Sequence, residues 1–299
     1  MHKILSLFLL PLLLLTSCGD DKDPNAPTDT LSSGTIQISV DETYKPVIEE
    51  QKKVFDSSYP NAKIQVNYTN ERQCFEDLMN KKSRLILVTR EVLPAEKQQF
   101  LDLKIVTHSL SLARDGIAVV LNKEAPEDLF AMPQLRGILS GENKNNYTVV
   151  VDDAASSTVH YLIDTVLAGK PLGPNVFSAK SADSVIAYVK KNPKAIGFVG
   201  LPYVIETDDS LRSDIKIASL KNEKTGDFLK PYSAYVALQT YPLTRTLYFI
   251  SRETSPGLGT GFANFLSRER GQLLFHHFGM FPLQLNVVIR DANINPNSP

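Results

Sequence analysis

Tryptophan is absent from this 299-residue chain, cysteine occurs twice and histidine five times. Two cysteines cannot build a disulfide-dense scaffold, so an ordinary hydrophobic core has to carry the fold. No apolar run reaches the about 20 residues that a permanent membrane-spanning helix needs. The most apolar stretch, Ile4 to Leu15, is broken by Ser6 and Pro11. Charge of one sign is not in excess either. Lys and Arg number 32 against 33 Asp and Glu, for a net charge of −1, without the strongly basic balance that nucleic-acid binding asks for. Also missing are the G-x-S-x-G elbow, the H-E-x-x-H zinc helix and the G-x-x-x-x-G-K-S/T phosphate loop, which removes the common hydrolase and nucleotide-binding signatures.

What is present begins at the N-terminus. Met1-His2-Lys3 is a short basic start, Ile4 to Leu15 has the length of a secretory h-region, and Leu15-Thr16-Ser17-Cys18 follows. Small residues before a cysteine resemble the bacterial lipobox. That resemblance implies a signal peptide over residues 1–17 and a diacylated Cys18 that anchors an extracytoplasmic protein to the cell envelope, in the periplasm or on the outer-membrane surface. Gly19 to Ser33 holds no aromatic residue and one aliphatic. It cannot bury enough apolar surface to offset its ordering entropy, so residues 18–33 are expected to form a flexible tether. Its cluster of Asp20, Asp21 and Asp23 is similar to the surface-export signal of some Bacteroidetes lipoproteins. With Cys18 lipidated, only Cys74 remains; it reads as a small buried filler beside Phe75 rather than a reactive thiol.

Beyond the tether the hydrophobic period alternates between two and 3.6. Strands are expected at Thr35–Val40, Lys63–Tyr68, Arg84–Thr89, Ile117–Asn122, Tyr147–Asp152, Ala195–Val199, Tyr232–Leu238 and Thr246–Ile250. Helices are expected at Pro46–Tyr59, Gln73–Lys81, Glu91–Leu101, Ser157–Leu167, Ala182–Lys191 and Gly261–Phe278. The rhythm predicts an α/β protein with an open sheet and helices on both faces. At this length a single core tends to divide, so one large or two medium lobes are expected.

Several motifs occur in one order. Gly34-Thr-Ile-Gln-Ile-Ser-Val-Asp-Glu-Thr-Tyr-Lys-Pro46, Phe55-Asp-Ser-Ser-Tyr-Pro60 and Val88-Thr-Arg-Glu-Val-Leu-Pro-Ala-Glu96 are followed by Arg114-Asp-Gly-Ile-Ala-Val-Val-Leu-Asn122 and Gln134-Leu-Arg-Gly-Ile-Leu-Ser-Gly141. Ser156-Ser-Thr158, Asn192-Pro-Lys-Ala-Ile-Gly-Phe-Val-Gly200, Tyr241-Pro-Leu-Thr-Arg-Thr-Leu-Tyr248 and Arg270-Gly-Gln272 complete the series. From about residue 34 to 285 this order resembles the PstS-type phosphate-binding proteins of ABC importers. The resemblance implies a two-lobed type II periplasmic-binding-protein fold with two crossing strands at the hinge. Lobe 1 would take residues 34–115 plus 244–299 and lobe 2 residues 116–243, with crossings near Arg114–Ala118 and Leu238–Thr246.

The same resemblance implies a ligand-binding set. Thr43 stands where the family places a hydroxyl donor, and Tyr44 would offer its backbone N–H. Ser156, Ser157 and Thr158 match the family's Ser-Gly-Thr, with Ser157 in place of the glycine. Two hydroxyls and successive N–H groups at a helix start suit an oxyanion. The charges differ from the family pattern. Asp152 stands where many members carry an arginine, and Arg90 where the founding type has an aspartate. Arg90, and Arg72 in the loop Thr69-Asn-Glu-Arg-Gln73, are therefore the candidate cations, since a planar guanidinium donates two parallel bonds to an oxyanion. Asp152 is expected either to pair with Arg90 or to accept a proton from a protonated anion.

The expected function is capture of inorganic phosphate by a binding protein that hands it to an ABC permease, with no cofactor, no metal and no bond-making chemistry. A monomer suffices for this. Alternatives are another oxyanion or a phosphorylated solute, or a diverged surface or sensory protein on the same fold. Gly257-Leu-Gly-Thr-Gly261 fits a turn into a helix rather than a nucleotide loop. His276 and His277 are adjacent on a predicted helix, about 100° apart, and cannot readily chelate one metal. His160 follows the candidate anion loop without an evident nucleophile partner.

Overall fold

A computed structural model describes residues 29–142, 147–206 and 210–285. The signal-peptide and Cys18 expectations lie outside the described residues. In chain order, β1 (Gly34–Asp41), α1 (Lys45–Ser58), β2 (Ala62–Thr69), α2 (Glu71–Met79), β3 (Leu85–Val88) and α3 (Pro94–Asp102) form a first alternating run. A long strand β4 (His108–Leu121) leads to β5 (Leu129–Phe130), α4 (Met132–Ser140), β6 (Thr148–Val151) and α5 (Ser157–Tyr161). Then come β7 (Val176–Ser178), α6 (Ala182–Lys191), β8 (Ala195–Gly200), β9 (Lys216–Ile217), β10 (Ser219–Lys221), β11 (Phe228–Leu229) and α7 (Ser233–Ala237). The chain returns through β12 (Thr244–Ser251) to α8 (Leu258–Ser267), α9 (Glu269–His277) and β13 (Phe281–Pro282).

The main sheet runs β2-β1-β3-β12-β4-β8-β6-β7. Strands β1, β2 and β3 are mutually parallel, as are β6, β7 and β8, whereas β12 and β4 in the middle run antiparallel to each other. β4 serves both ends of the sheet. Its residues 108–116 pair with β12, and Ile117–Leu121 pair with β8. The buried apolar side chains divide at the same point. One cluster draws on Ile117 through Leu243, and another on Ile36 through Ala113 together with Leu247 through Met280. The result is a two-lobed α/β fold crossed by β4 and by the return into β12.

Strand β3 shows why both sheet faces are covered. Leu85 and Leu87 join the cluster beneath α1 and α8, while Ile86 and Val88 join a smaller cluster with Cys74, Phe75, Leu78 and Phe100 from α2 and α3. All four strand residues are buried, each contributing about 1.5–3 kcal/mol of transfer free energy. Cys74 sits inside that smaller cluster as a free thiol. Helix α6 illustrates how pattern becomes packing. Ser181 caps it by accepting from the Ser184 N–H, and Ala182, Val185, Ile186 and Val189 bury one stripe against the sheet.

Four expectations are corrected by the structure. Residues 29–33 are not tether. The Asp29 carboxylate forks onto Arg84 and accepts from the Leu258 N–H at 2.6 Å, which seats the segment against α8. Tyr232–Leu238 contains the short helix α7 instead of a strand. Ser233 and Val236 are buried at a spacing of three while Tyr232 and Tyr235 face out, which is helical burial, although Tyr232, Ala234, Val236 and Leu238 alternate in sequence as a strand would. Gly261–Phe278 is broken into α8 and α9 at Arg268, whose backbone is extended (φ −96°, ψ 172°). The break brings Gly271 so close to the Phe265 carbonyl that a Cβ there would lie 2.4 Å from the oxygen. The Ser157–Leu167 helix is α only to Tyr161 and widens to a π-turn over Leu162–Val166.

Two glycines of Gly257–Gly261 are explained by the seated segment, and Gly259 by the Glu253 carboxylate. A Cβ at Gly261 would meet the Leu31 carbonyl oxygen at 1.8 Å, and one at Gly257 would meet Asp29 at 2.8 Å. The first N–H groups of α8 are taken by the chain's own carboxylates, Leu258 by Asp29 and Gly259 and Thr260 by Glu253.

Candidate functional site

Strand β1 ends at Asp41 and β6 at Val151, and the chain turns from each into a helix at the same edge of the sheet. Ligands of open α/β folds collect at such carboxyl ends, where helix N-termini present free N–H groups. After β1, the Asp41 carboxylate accepts from the Thr43 N–H at 2.9 Å and shapes the turn that starts α1. After β6, Ser156 caps α5 by accepting from the Val159 N–H, and its own hydroxyl donates to Asp152. Ser157 and Thr158 follow in the first turn, both buried.

The two turns meet. Thr43 Oγ1 lies 3.4 Å from Ser157 Oγ, and Ser157 Oγ accepts from Arg245 Nη1 at 3.1 Å. Arg245 comes from β12, its side chain 2% exposed, and its Nε donates to Asp115 of β4 at 2.9 Å. These two are register partners across the crossing strands. Tyr44 is fully buried, with the guanidinium 5.6 Å from its ring centroid. Gly200, at the end of β8, makes the junction possible. A Cβ there would lie 2.3 Å from Thr43 Cγ2 and 3.0 Å from Arg245 Nη2. Tyr203 adds a further tie, donating from its hydroxyl to the Glu42 carbonyl at 3.0 Å.

Several polar atoms at this junction are buried without a hydrogen-bond partner: Arg245 Nη2, Thr158 Oγ1, Asp41 Oδ2 and Asp115 Oδ1. Buried polar groups are ordinarily satisfied, so a cluster of donors and acceptors with none marks a place built for something polar. Burial works against the charge of Arg245, and Tyr44, Asp115 and Asp41 more than offset it, so the guanidinium stays protonated. The carboxyls behave oppositely. Burial, with the charge of Glu71 added, pushes Asp41 up to about 6. Burial pushes Asp152 up to about 7, against the Ser156 hydrogen bond and with the Asp41 charge assisting. Near neutral pH the site thus offers one firm cation and carboxyls able to hold or take a proton.

Of the sequence candidates, Thr43, Tyr44, Asp152, Ser156, Ser157 and Thr158 lie at this junction. The two arginines do not. Arg72, second in α2, is 71% exposed and reaches Glu76 at 3.4 Å. Arg90 spends both terminal nitrogens on Glu96 at 2.7 Å each and lies over the Phe75 ring, so it pairs with Glu96 and Glu71 instead of Asp152. Glu96 is held in place as the third residue of α3, where it also accepts from the Leu93 N–H. His160 faces Glu71 at 3.9 Å and its pKa is raised chiefly by that carboxylate. The cation that reading from sequence missed is Arg245. Its signal was available: Arg245, Leu247 and Phe249 share one face of β12 and are all buried, so a charge stood in phase with the core. Among the described residues no group of three or more His, Cys, Asp or Glu is placed to hold a metal ion.

A family profile described as a PBP superfamily domain matches residues 25–270. The chain belongs to the PBP superfamily. Within that superfamily it is similar to the phosphate-binding protein PstS of Staphylococcus aureus, at 22% identity over 255 residues, covering 81% of this chain and 75% of the relative. Its fold matches a Clostridium perfringens substrate-binding protein assigned to phosphate ABC transport and carrying bound phosphate, at a TM-score of 0.72 and 19% identity, over 84% of this chain and all of the other. An ABC-type phosphate transport receptor from Vibrio cholerae follows at 0.65 and 19%, over 83% of this chain and 100% of the receptor. These likenesses agree with the two lobes and the crossing strands. Among the described residues no helix is long and apolar enough to cross a membrane.

Proposed function

We propose that this PBP-superfamily protein binds inorganic phosphate between its lobes and delivers it to an ABC permease outside the cytoplasm, tethered by lipid on Cys18. The observation that carries the reading is Arg245. It is a buried guanidinium on a crossing strand that touches the hydroxyl at the start of α5 and keeps one terminal nitrogen unbonded. A buried cation beside a helix N-terminus and three hydroxyls is an oxyanion cradle. The similarity to PstS proteins supports phosphate as the anion and transport as the purpose. Thr43 and Tyr44 from lobe 1 and Ser156, Ser157 and Thr158 from lobe 2 would close on the ligand together, so closure and binding are one event.

The carboxyls supply selectivity. Asp41 and Asp152 line the same small cavity beside the cradle. Once these carboxyls are ionised, above about pH 7, a proton-bearing phosphate can donate to either of them, whereas sulfate has no proton to give and meets repulsion. The mechanism is reversible binding, with desolvation of the anion offset by charge-assisted hydrogen bonds. The test is calorimetric titration of the unlipidated chain with phosphate and then sulfate, at pH 6 and pH 8. Phosphate binding with sulfate rejected supports the reading. No heat from either anion, on folded and ligand-stripped protein, overturns it in favour of a surface protein that kept the fold.

A further inference from the structure

The cradle has two sides, and they differ in size. On the side of Asp41, Asp152 and Tyr203 the cavity is about 10 Å³, room for a single water. On the other side a cavity of about 390 Å³ opens, sharing Ser157 and Arg245 with the cradle. That volume lies in the range of small-molecule sites, about 300–1,000 Å³, and exceeds anything an inorganic anion needs. Resting on the reading of the cradle as a phosphate site, we infer that the protein also takes small phosphate monoesters, the substituent occupying this second cavity.

The lining says which substituent. Thr165, Thr246 and Tyr248 are hydroxyl-bearing residues of the wall, and a hydroxyl can both donate and accept, whereas the Tyr161 hydroxyl is already given to the Pro242 and Thr244 carbonyls. No aliphatic side chain lines the cavity, so a hydroxylated ester gains hydrogen bonds there that an alkyl ester cannot make. The charges exclude a second anion. The cations of the wall are already matched: Arg90 by Glu96, His160 by Glu71 and Arg245 by Asp115. Glu91 and Asp164 add negative charge at the same wall. A carboxylate or second phosphate on the ligand would be desolvated against these groups with no cation left to meet it. The substrate class is the monophosphate of a small uncharged polyol.

The test compares three probes on the unlipidated chain by calorimetry at pH 7: inorganic phosphate, glycerol 3-phosphate and 3-phosphoglycerate. Glycerol 3-phosphate is expected within about tenfold of phosphate, and 3-phosphoglycerate, which differs by its carboxylate, roughly tenfold weaker again or more. Thr165→Trp, at the exposed rim of the cavity and away from the cradle, should weaken glycerol 3-phosphate by about tenfold while phosphate changes by less than about threefold. Phosphate binding without glycerol 3-phosphate binding overturns the inference and leaves the phosphate reading intact. Equal weakening of both ligands by Thr165→Trp also overturns it, since the ester would then not sit in this cavity. Failure of all three probes on folded protein overturns the phosphate reading and this inference with it.

Discussion

Removing Arg245 has two consequences that can be separated, because its guanidinium serves two partners at once. Arg245→Met takes the cation from a cradle that holds no other buried arginine among the described residues. It also strands Asp115, which is fully buried and whose Oδ2 accepts from Arg245 Nε at 2.9 Å. Truncating one member of a buried charge pair costs about 3–5 kcal/mol of stability, most of it the penalty on the charge left behind. Asp115→Asn in the same chain removes that charge, so the double variant should regain most of the lost stability. Phosphate binding should not return. Loss of a buried, hydrogen-bonded cation from a charged contact costs about 2–5 kcal/mol, roughly 30- to 5,000-fold in Kd. The assays are chemical denaturation for stability and isothermal calorimetry for phosphate, on the single and the double variant. A double variant that folds and still binds phosphate within about threefold of the parent would refute the assignment of Arg245 as the anion's cation.

Other outcomes follow from the same geometry. Asp152 keeps its proton up to about pH 7 in the folded protein, whereas an unfolded carboxyl releases it near about 4, so its contribution to stability is present at low pH and is lost as pH rises between those values. Asp152→Asn should therefore raise the thermal midpoint at pH 8 and leave it nearly unchanged at pH 4, provided Ser156 keeps its capping bond; an equal shift at both pH values would contradict the raised pKa. Gly200→Ala puts a Cβ against Thr43 and Arg245 on a backbone that accepts any residue (φ −68°, ψ 154°). The expected result is weakened phosphate binding from blocked lobe closure, with overpacking costing about 1–3 kcal/mol at most, checked by titration and by small-angle scattering with and without phosphate. Asp29→Ala removes the cap on Leu258 and the fork onto Arg84, and should cost about 1–2 kcal/mol and expose residues 29–33 to limited proteolysis.

Legibility from sequence followed the range of the interactions involved. Helix α6 was read with its bounds because its cap, its buried stripe and its terminal lysines are all local. Strands β1, β2 and β8 were found to within a residue at each end, β1 and β2 because their apolar residues alternate in sequence and β8 because it is a short apolar run, buried along its whole length. Helix α7 was misread because seven residues fit either period. The first half of β4 was missed because its alternation, Ser109 to Leu112, is short and is broken by the charges of Arg114 and Asp115, so that pairing with β12 makes it a strand. The candidate hydroxyls, Thr43 and Ser156 to Thr158, were placed by the family resemblance, in turns that follow strands and precede helices. The choice of cation did not, because Arg72 and Arg90 sit near helix starts in sequence yet are engaged by Glu76 and by Glu96 and Glu71.

By itself the sequence determined the α/β class and the strand-to-helix turns after β1 and β6, in which the family resemblance singled out Thr43 and Ser156 to Thr158. These depend on periodicity, capping and backbone preferences within a few residues. Tertiary structure alone decided which charges meet. Arg245 and Asp115 are 130 residues apart and become neighbours through strand register. Asp29 becomes the cap of a helix 229 residues away. The physical reason is that a charge is placed by burial and by the partners that burial leaves within reach, and both are properties of the assembled sheet, not of any local stretch of chain.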